Sequence, residues 1–394
     1  MNKTVYLDNN ATTRVAPEVV EAMMPFFGER YGNPSSMHAF GGEIATYLAQ
    51  ARESAAAFLC CDPEEILFTS CATESDNTAI RGVAEFLGRE TKIVTTAVEH
   101  PAVLQPVRRL KAMGYETVEL PVDSVGQLDL DQLRDTLKDS PKALVSVMWA
   151  NNETGTIFPI EQIAQIVKEH GAVLHTDAVQ AAGKVPLDTR KIPVDLLSLS
   201  GHKFHAPKGV GLLYVRKGTK FKPFMLGGPQ DGGRRAGTEN VPYLVGLAKA
   251  CELATVHMAD EARQLEPLRD RLEAGILATC PNVRVNGDKA HRLPNTLNVS
   301  FEYIEGEAIA YRLSDLGICI STGSACASGS LDPSHVIRAM GVPFTAVHGS
   351  VRFSLSRYTT AEEIDYVLDK LPPVIHALRE LSPFGPGTGP TTFS

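Results

Sequence analysis

The chain has 394 residues, a formal net charge of −8, 43% hydrophobic and 21% charged residues. That length can bury a large core and predicts two domains, the ordinary composition predicts a soluble globular protein, and the acidic balance argues against a nucleic-acid binder. No apolar run approaches the roughly 18 residues of a membrane span, the opening Met1-Asn-Lys-Thr-Val-Tyr6 has no apolar signal region, and seven scattered cysteines predict free thiols in a reducing cytoplasm.

Residues 5–13 read as a short extended piece followed by a polar turn. Pro17 opens a helix with Val19, Val20, Met23 and Met24 on one face, and Gly32-Asn-Pro-Ser-Ser36 breaks it. An Ala-rich helix over 42–58 and a strand over 65–69 follow. Ser70-Cys-Ala-Thr-Glu-Ser-Asp-Asn77 then turns into a helix predicted from 78 to 87. Small residues at a strand-to-helix turn suit a phosphate cradle, with Thr73 adding a hydroxyl; the same residues also suit a plain capping turn. The strand 92–96 delivers His100 to a strand end, where open α/β sheets bind ligands. An imidazole there can stack on a ring, move a proton, or be structural.

A helix over 103–113, a strand over 117–121, a helix over 130–137 and a strand over 143–149 continue the alternation. The last strand ends in Ala150-Asn-Asn-Glu-Thr-Gly155, with Asn152 just past it. A helix over 159–170, a strand ending in His175-Thr-Asp-Ala-Val-Gln180 and a strand over 194–199 complete the series. Strands alternating with helices from about 65 to 215 predict a mainly parallel sheet covered on both faces. The final strand, 209–216, follows too closely for a helical crossover and is predicted antiparallel. Residues 227–240 are rich in Gly and Arg and carry Thr238; the stretch suits an anion, or a solvated surface loop.

A helical region from 241 to about 280 leads to strands at 283–285, 296–301 and 350–355 and helices at 307–316, 334–340 and 361–381. This predicts a smaller α+β domain. The last helix starts with a capping box, Thr360-Ala-Glu-Glu363, and Pro372-Pro373 should kink it or begin a second segment. The expected division is 1–14 as a segment associated with the small domain, 15–260 as the large domain, 261–382 as the small domain and 383–394 as a disordered tail.

Two stretches carry chemistry. Ser198-Leu-Ser-Gly-His-Lys-Phe-His-Ala-Pro-Lys-Gly-Val-Gly211 sets Lys203 at a strand end. Asp177 lies at the end of another strand. A buried lysine and a buried acid so placed suit pyridoxal phosphate (PLP), the lysine for the aldehyde and the acid for the pyridine nitrogen. The second stretch is Ile318-Cys-Ile-Ser-Thr-Gly-Ser-Ala-Cys-Ala-Ser-Gly-Ser330. Its small residues leave Cys326 exposed and mobile, whereas Cys251 and Cys319 sit among apolar neighbours. Such a thiol is a nucleophile if its pKa is lowered, and otherwise incidental. Arg352, on the strand 350–355, is a candidate fork for a substrate carboxylate.

Across nearly the whole chain the sequence resembles the PLP-dependent cysteine desulfurases of the NifS/IscS family, within the fold-type I superfamily. The matching motifs are Tyr6-Leu-Asp-Asn-Asn-Ala-Thr-Thr13, Gly32-Asn-Pro-Ser-Ser36, Ala72-Thr-Glu-Ser-Asp76, Glu99-His-Pro-Ala-Val103, Asn151-Asn-Glu-Thr-Gly155, His175-Thr-Asp-Ala-Val-Gln180, Ser200-Gly-His-Lys203, Arg235-Ala-Gly-Thr-Glu-Asn240, Gly323-Ser-Ala-Cys326 and Arg352-Phe-Ser-Leu-Ser-Arg-Tyr-Thr359. The wording around 148–155 and 202–211 resembles the nitrogen-fixation branch. Ala327 departs from the Thr that many relatives carry.

The resemblance implies an α/β fold with a mainly parallel sheet in a large domain, PLP as cofactor, L-cysteine as substrate and L-alanine as product. It implies Lys203 as Schiff-base lysine and proton shuttle, Asp177 on the pyridine nitrogen, Gln180 on the ring oxygen and His100 stacked on the ring. Ala72, Thr73, Ser200 and His202 would hold the phosphate, with Thr238 from the partner of a homodimer. Asn152 and Arg352 would hold the substrate, and Cys326 would accept the sulfur. An iron–sulfur scaffold protein would receive it for nitrogenase maturation, and Cys326 would at most ligate a cluster transiently. An aminotransferase or selenocysteine lyase shares Lys203 and Asp177, and a sulfur carrier without cofactor would need only Cys326.

Overall fold

In the computed structural model residues 4–140, 142–322 and 332–385 are described. In chain order the regular elements are β1 (Val5–Tyr6), α1 (Pro17–Met23), α2 (Ala39–Leu59), β2 (Ile66–Thr69), α3 (Ala72–Leu87), β3 (Lys92–Thr96), α4 (Pro101–Ala112), β4 (Thr117–Leu120), α5 (Leu130–Leu137), β5 (Ala143–Ser146), α6 (Ile160–Glu169), β6 (Val173–Asp177), β7 (Leu196–Ser200) and β8 (Gly211–Val215). There follow α7 (Val241–Thr279), β9 (Val283–Asn286), β10 (Thr296–Phe301), α8 (Gly306–Asp315), β11 (Ile318–Cys319), β12 (Ser321–Thr322), α9 (His335–Ala339), α10 (Phe344–Val347), β13 (Ser350–Ser354) and α11 (Ala361–Leu381).

The apolar runs that alternate with helices build a seven-stranded sheet in the order β2-β8-β7-β6-β5-β3-β4. Strands β3 to β7 pair in parallel. Strand β8 is antiparallel to both its neighbours, as the short connection after β7 requires. The sheet's central strands are buried on both faces: Leu196, Leu197 and Leu199 of β7 are inaccessible. Burying each such side chain contributes roughly 1.5–3 kcal/mol.

A second, antiparallel sheet runs β12-β13-β10-β9, and β1 pairs with β11 in parallel beside it. Val5 and Leu7 pack with Val299, Phe301, Phe353 and Ile364 in its core. Helix α7 continues without a break past residue 260. Val336, Ile337, Met340 and Val347 pack into the core of the seven-stranded sheet instead.

Several local expectations are corrected. Helix α3 begins at Ala72 and not at 78, so Ala72 and Thr73 are themselves its first turn; the stretch is polar because its side chains face a cavity, which hides the helical period. On α1 only Val19 and Met23 are buried, while Val20 and Met24 are exposed. Helix α11 runs through Pro372 and Pro373 as one element, its capping box formed by Thr360 and Glu363. Cys251 is buried, but Cys319 is partly exposed.

Candidate active site

The carboxyl ends of β2, β3, β5, β6 and β7 converge on a cavity of about 290 Å³, at the lower edge of the usual size of a small-molecule site, about 300–1,000 Å³. The expected residues Ala72, Thr73, His100, Asn152, Asp177, Gln180, Ser200, His202, Lys203 and Arg352 all line it. Thr238 does not; it is exposed on the surface. Cys326 lies outside the described residues, between Thr322, which lines the cavity, and Asp332.

Strand β7 ends at Ser200, and a single 3₁₀ turn over Gly201–Lys203 lifts His202 and Lys203 into the cavity. A side chain on Gly201 would sit 2.9 Å from Ala206 Cβ, so only glycine fits that turn. Lys203 Nζ donates to the carbonyls of Asn10 at 2.6 Å and Ala11 at 2.9 Å. The Asn10 carbonyl also accepts from Gln180 Nε2 at 3.0 Å. The N-terminal segment is pinned nearby, with Thr13 Oγ1 donating to the His202 carbonyl and accepting from the His205 N–H. His205 adopts a left-handed backbone, φ 71°, and its Nδ1 bonds the Arg14 carbonyl.

Asp177 closes β6. Its Oδ1 accepts from the Val179 N–H at 2.9 Å. Burial pushes its carboxyl above the usual range, and the nearby Lys203 charge pulls the other way. Asp76, fully buried on α3, also faces the cavity. Burial and the charge of Asp177 raise it well above the usual carboxylate range. It lies 3.5 Å from His175 Nε2, and that imidazole bridges Ser146 and Ser198 at 2.8 and 2.9 Å. Burial pushes His175 down to about 3, so it is neutral.

His100 caps α4: its Nδ1 accepts from the Ala102 N–H at 3.1 Å. Burial, aided by the Lys203 charge, pushes it down to about 4. The imidazole is therefore neutral with its proton on Nε2, an assignment that rests on the Nδ1 hydrogen bond. His202 is likewise pushed down to about 4 by burial and Lys203. At the start of α3 the first N–H groups lack intrahelical acceptors, as at any helix N-terminus, and Thr73 stands among them. Arg352 reaches in from β13. Its Nη1 donates to the Asn152 carbonyl and its Nη2 to Asp8 Oδ1, both at 2.8 Å. Its Nε has no partner among the described residues.

This donor set fits PLP: an amine on Lys203, a carboxylate on Asp177, an imidazole on His100 and a helix N-terminus with a hydroxyl at Thr73. The Arg352 fork, with Nε unpartnered, fits a carboxylate besides. Asp8, Asn10, Ala11 and Asp76 were not singled out by sequence reasoning. Asn10 and Ala11 act through backbone carbonyls, which no side-chain pattern reveals; the polar turn after β1 was the available signal. Among the described residues no group of three His, Cys, Asp or Glu side chains could hold a metal, and no helix is long and apolar enough to cross a membrane.

The aminotransferase class-V sequence profile matches residues 5–367. A cysteine desulfurase of Nostoc sp. is 56% identical over 380 residues, covering 96% of this chain and 95% of the relative. The cysteine desulfurase NifS of Azotobacter vinelandii is 55% identical over 387 residues, covering 98% and 96%. A solved NifS-like protein superposes with a TM-score of 0.90 at 43% identity, covering 95% of this chain and all of that one. The α/β architecture, with its large, mainly parallel sheet, is thus the fold-type I arrangement of PLP enzymes. The chain belongs to the aminotransferase class-V family and, within it, to the cysteine desulfurases.

Proposed function

We propose that this chain is a PLP-dependent cysteine desulfurase that removes sulfur from L-cysteine, releases L-alanine and takes the sulfur onto Cys326 as a persulfide. The observation that carries the reading is the convergence of Lys203, Asp177, His100 and Arg352 on one cavity in a chain 56% identical to a cysteine desulfurase. PLP, when bound, supplies an electron sink that makes the Cα–H and then the Cβ–S bond of the substrate labile.

The chain's residues do the rest. Arg352 receives the substrate carboxylate through Nε and Nη, with Asn152 beside it. Lys203 Nζ removes the Cα proton and returns a proton, acting from the carbonyls of Asn10 and Ala11. Asp177 would hold the ring nitrogen protonated, and Gln180 would bond the ring oxygen. Ala72, Thr73, Ser200 and His202 would hold the phosphate, and His100 would stack on the ring. The Cys326 thiolate attacks the substrate sulfur: an S–S bond forms, the Cβ–S bond breaks, and its electron pair stays with the carbon skeleton, which takes up protons to become alanine.

The working unit is a homodimer in which Thr238 of the partner completes the phosphate site. The exposure of Thr238, away from its own cavity, supports this, as do the exposed Tyr31, Met37 and Leu226. The sulfur acceptor is an iron–sulfur scaffold serving nitrogenase maturation in the cytoplasm. We divide the chain into 1–14 with the small domain, 15–260, 261–382 and a tail from 383, with the boundary inside α7. The test is a visible spectrum followed by sulfide and alanine assays with L-cysteine and a reductant. A cofactor band with equal sulfide and alanine, both lost in Cys326→Ala, is expected. A band without sulfide would overturn the substrate, and the absence of a band would overturn the cofactor.

A further inference from the structure

Chain connectivity sets Cys326 between two described ends, Thr322 and Asp332. The entering end is registered on the substrate fork, since Ser321 of β12 pairs with Arg352 of β13 and Thr322 lines the cavity. The leaving end is held differently. Ser334, the N-cap of α9, donates from Oγ to Glu153 Oε2 at 2.5 Å and accepts from the N–H groups of Val336 and Ile337. The next residue, His335, bonds through Nε2 to the main-chain carbonyl of Glu99 at 2.9 Å.

Both partners adjoin cavity residues. Glu153 follows Asn152, whose carbonyl holds Arg352, and Glu99 precedes His100. The pair of contacts is built into the interior: Ser334 and Glu153 are buried, and Val336 and Ile337 pack into the core of the large sheet. The turn holding Glu153 is itself fixed, because Asn151 Oδ1 accepts from the Glu153 and Thr154 N–H groups and Asn298 Nδ2 donates to the Glu153 carbonyl. None of this is needed to bind a cofactor. A buried carboxylate costs free energy unless hydrogen-bonded, and the Ser334 hydroxyl satisfies it only while α9 starts where it does.

We propose that Ser334 and His335, gripped by Glu153 and the Glu99 carbonyl, are positioning residues for sulfur transfer: they register the chain leaving Cys326 on the two turns that present Asn152 and His100. The inference rests on Cys326 being the sulfur acceptor. Seven residues lie between Cys326 and Ser334, and the eight Cα–Cα steps they make span at most about 26–29 Å. Fixing its end therefore bounds how far the thiol can lie from Ser334 and raises its effective concentration at the substrate sulfur.

The test uses the holoenzyme with Glu153→Ala, Ser334→Ala, His335→Ala and the conservative Glu153→Gln. Persulfide on Cys326 is followed in a single turnover by mass spectrometry, and L-cysteine binding by titrating the cofactor absorbance. Alkylation of Cys326 by iodoacetamide without substrate is a third readout. Loss of one buried hydrogen bond should slow persulfide formation about tenfold in the Ala variants. Half-saturation by L-cysteine should stay within about twofold, alkylation should change about threefold or more, and Glu153→Gln should behave nearly as wild type.

Unchanged persulfide formation and alkylation in the Ala variants overturns the proposal, as does weakened L-cysteine binding in step with the rate, which a merely structural role would give. If Glu153→Ala does not fold, His335→Ala probes the second grip without uncovering a buried acid. Cys326→Ala separates the two readings. An active Cys326→Ala enzyme overturns both, whereas an inert one beside a wild-type rate in all three Ala variants overturns the positioning role alone.

Discussion

Arg352 Nη2 lies 2.8 Å from Asp8 Oδ1, which joins strand β13 to the polar turn that follows β1. The guanidinium is buried and already holds one carboxylate, yet its Nε is unpartnered among the described residues. Asp8 and the Asn152 carbonyl thus take two of the five N–H donors of a guanidinium that lines the cavity. Replacing Arg352 with Ala should cost about 1.5–3 kcal/mol, the worth of hydrogen bonds to a charged group. That corresponds to a fall in kcat/KM of about 10- to 150-fold, mainly through KM. Asp8→Asn keeps an acceptor and should cost about threefold. A KM for L-cysteine unchanged in Arg352→Ala would remove Arg352 from the substrate site.

Asp177 should behave as a counter-charge and not as a packing group. Asp177→Asn retains the shape and an acceptor for the Val179 N–H. It removes the charge that in the proposed reading would hold the ring nitrogen protonated, and breaking a buried charge pair costs about 3–5 kcal/mol. Turnover should drop by about 150- to 5,000-fold while cofactor content, measured after denaturation, stays close to one per chain. Loss of cofactor in proportion to activity would show that Asp177 serves binding only.

The sequence exposed the parts of this molecule that repeat or carry side-chain chemistry. The parallel strands were legible because Leu196, Leu197, Val145 and their neighbours form apolar runs of strand length, buried on both faces. Lys203, Asp177, His100 and Asn152 were legible because each falls just past such a run. The start of α3 was obscured because Thr73, Ser75 and Asp76 are polar toward a cavity or a neighbouring strand, so no apolar period marks the first turn. The carbonyls of Asn10 and Ala11 were invisible for a different reason: every residue has one, and only folding decides which two meet Lys203. Asp8 was readable only as part of a turn, since its partner Arg352 is remote in sequence.

His100 gives a prediction about pH. Burial and Lys203 push its pKa to about 4, so its stabilising contribution is present above the unfolded value of 6.5 and is lost as pH falls through about 4. It does not change charge between about pH 5.5 and 7.5. A His100→Gln enzyme should therefore show a lower kcat/KM, by about 10- to 100-fold, with the same profile shape over that interval. A limb near pH 6.5 present in wild type and absent in the variant would mean that His100 titrates in the free enzyme.

Glu153 gives the opposite sign. Burial raises its pKa to about 7 against the bond from Ser334 and the Arg352 charge. The folded chain thus holds a proton that the unfolded chain releases near 4.5, so this contribution is complete below about 4.5 and is lost as pH rises through about 7. Glu153→Gln removes the titration. In the cofactor-free protein its Tm should match wild type near pH 5 and exceed it by about 2 °C near pH 8. Equal Tm values at both would mean that Glu153 is ionised in the fold at no cost.

Gly201 tests whether the turn beneath Lys203 is set by packing. A methyl group there would meet Ala206 Cβ at 2.9 Å, Val210 Cγ1 at 3.1 Å and Leu247 Cδ1 at 3.2 Å. Ala206 has no rotamer to yield with, so the strain falls on the 3₁₀ turn that carries His202 and Lys203. Overpacking of this kind costs about 1–3 kcal/mol, but a small displacement of Lys203 Nζ away from the Asn10 and Ala11 carbonyls is felt more strongly in the rate. Gly201→Ala should lose about 100-fold or more in turnover while remaining folded by circular dichroism. Adding Ala206→Gly, which removes the nearest obstacle, should restore most of it. If the double variant stays as slow as the single one, contact with Ala206 is not what holds the turn, and crowding by Val210 and Leu247 is what excludes a side chain there.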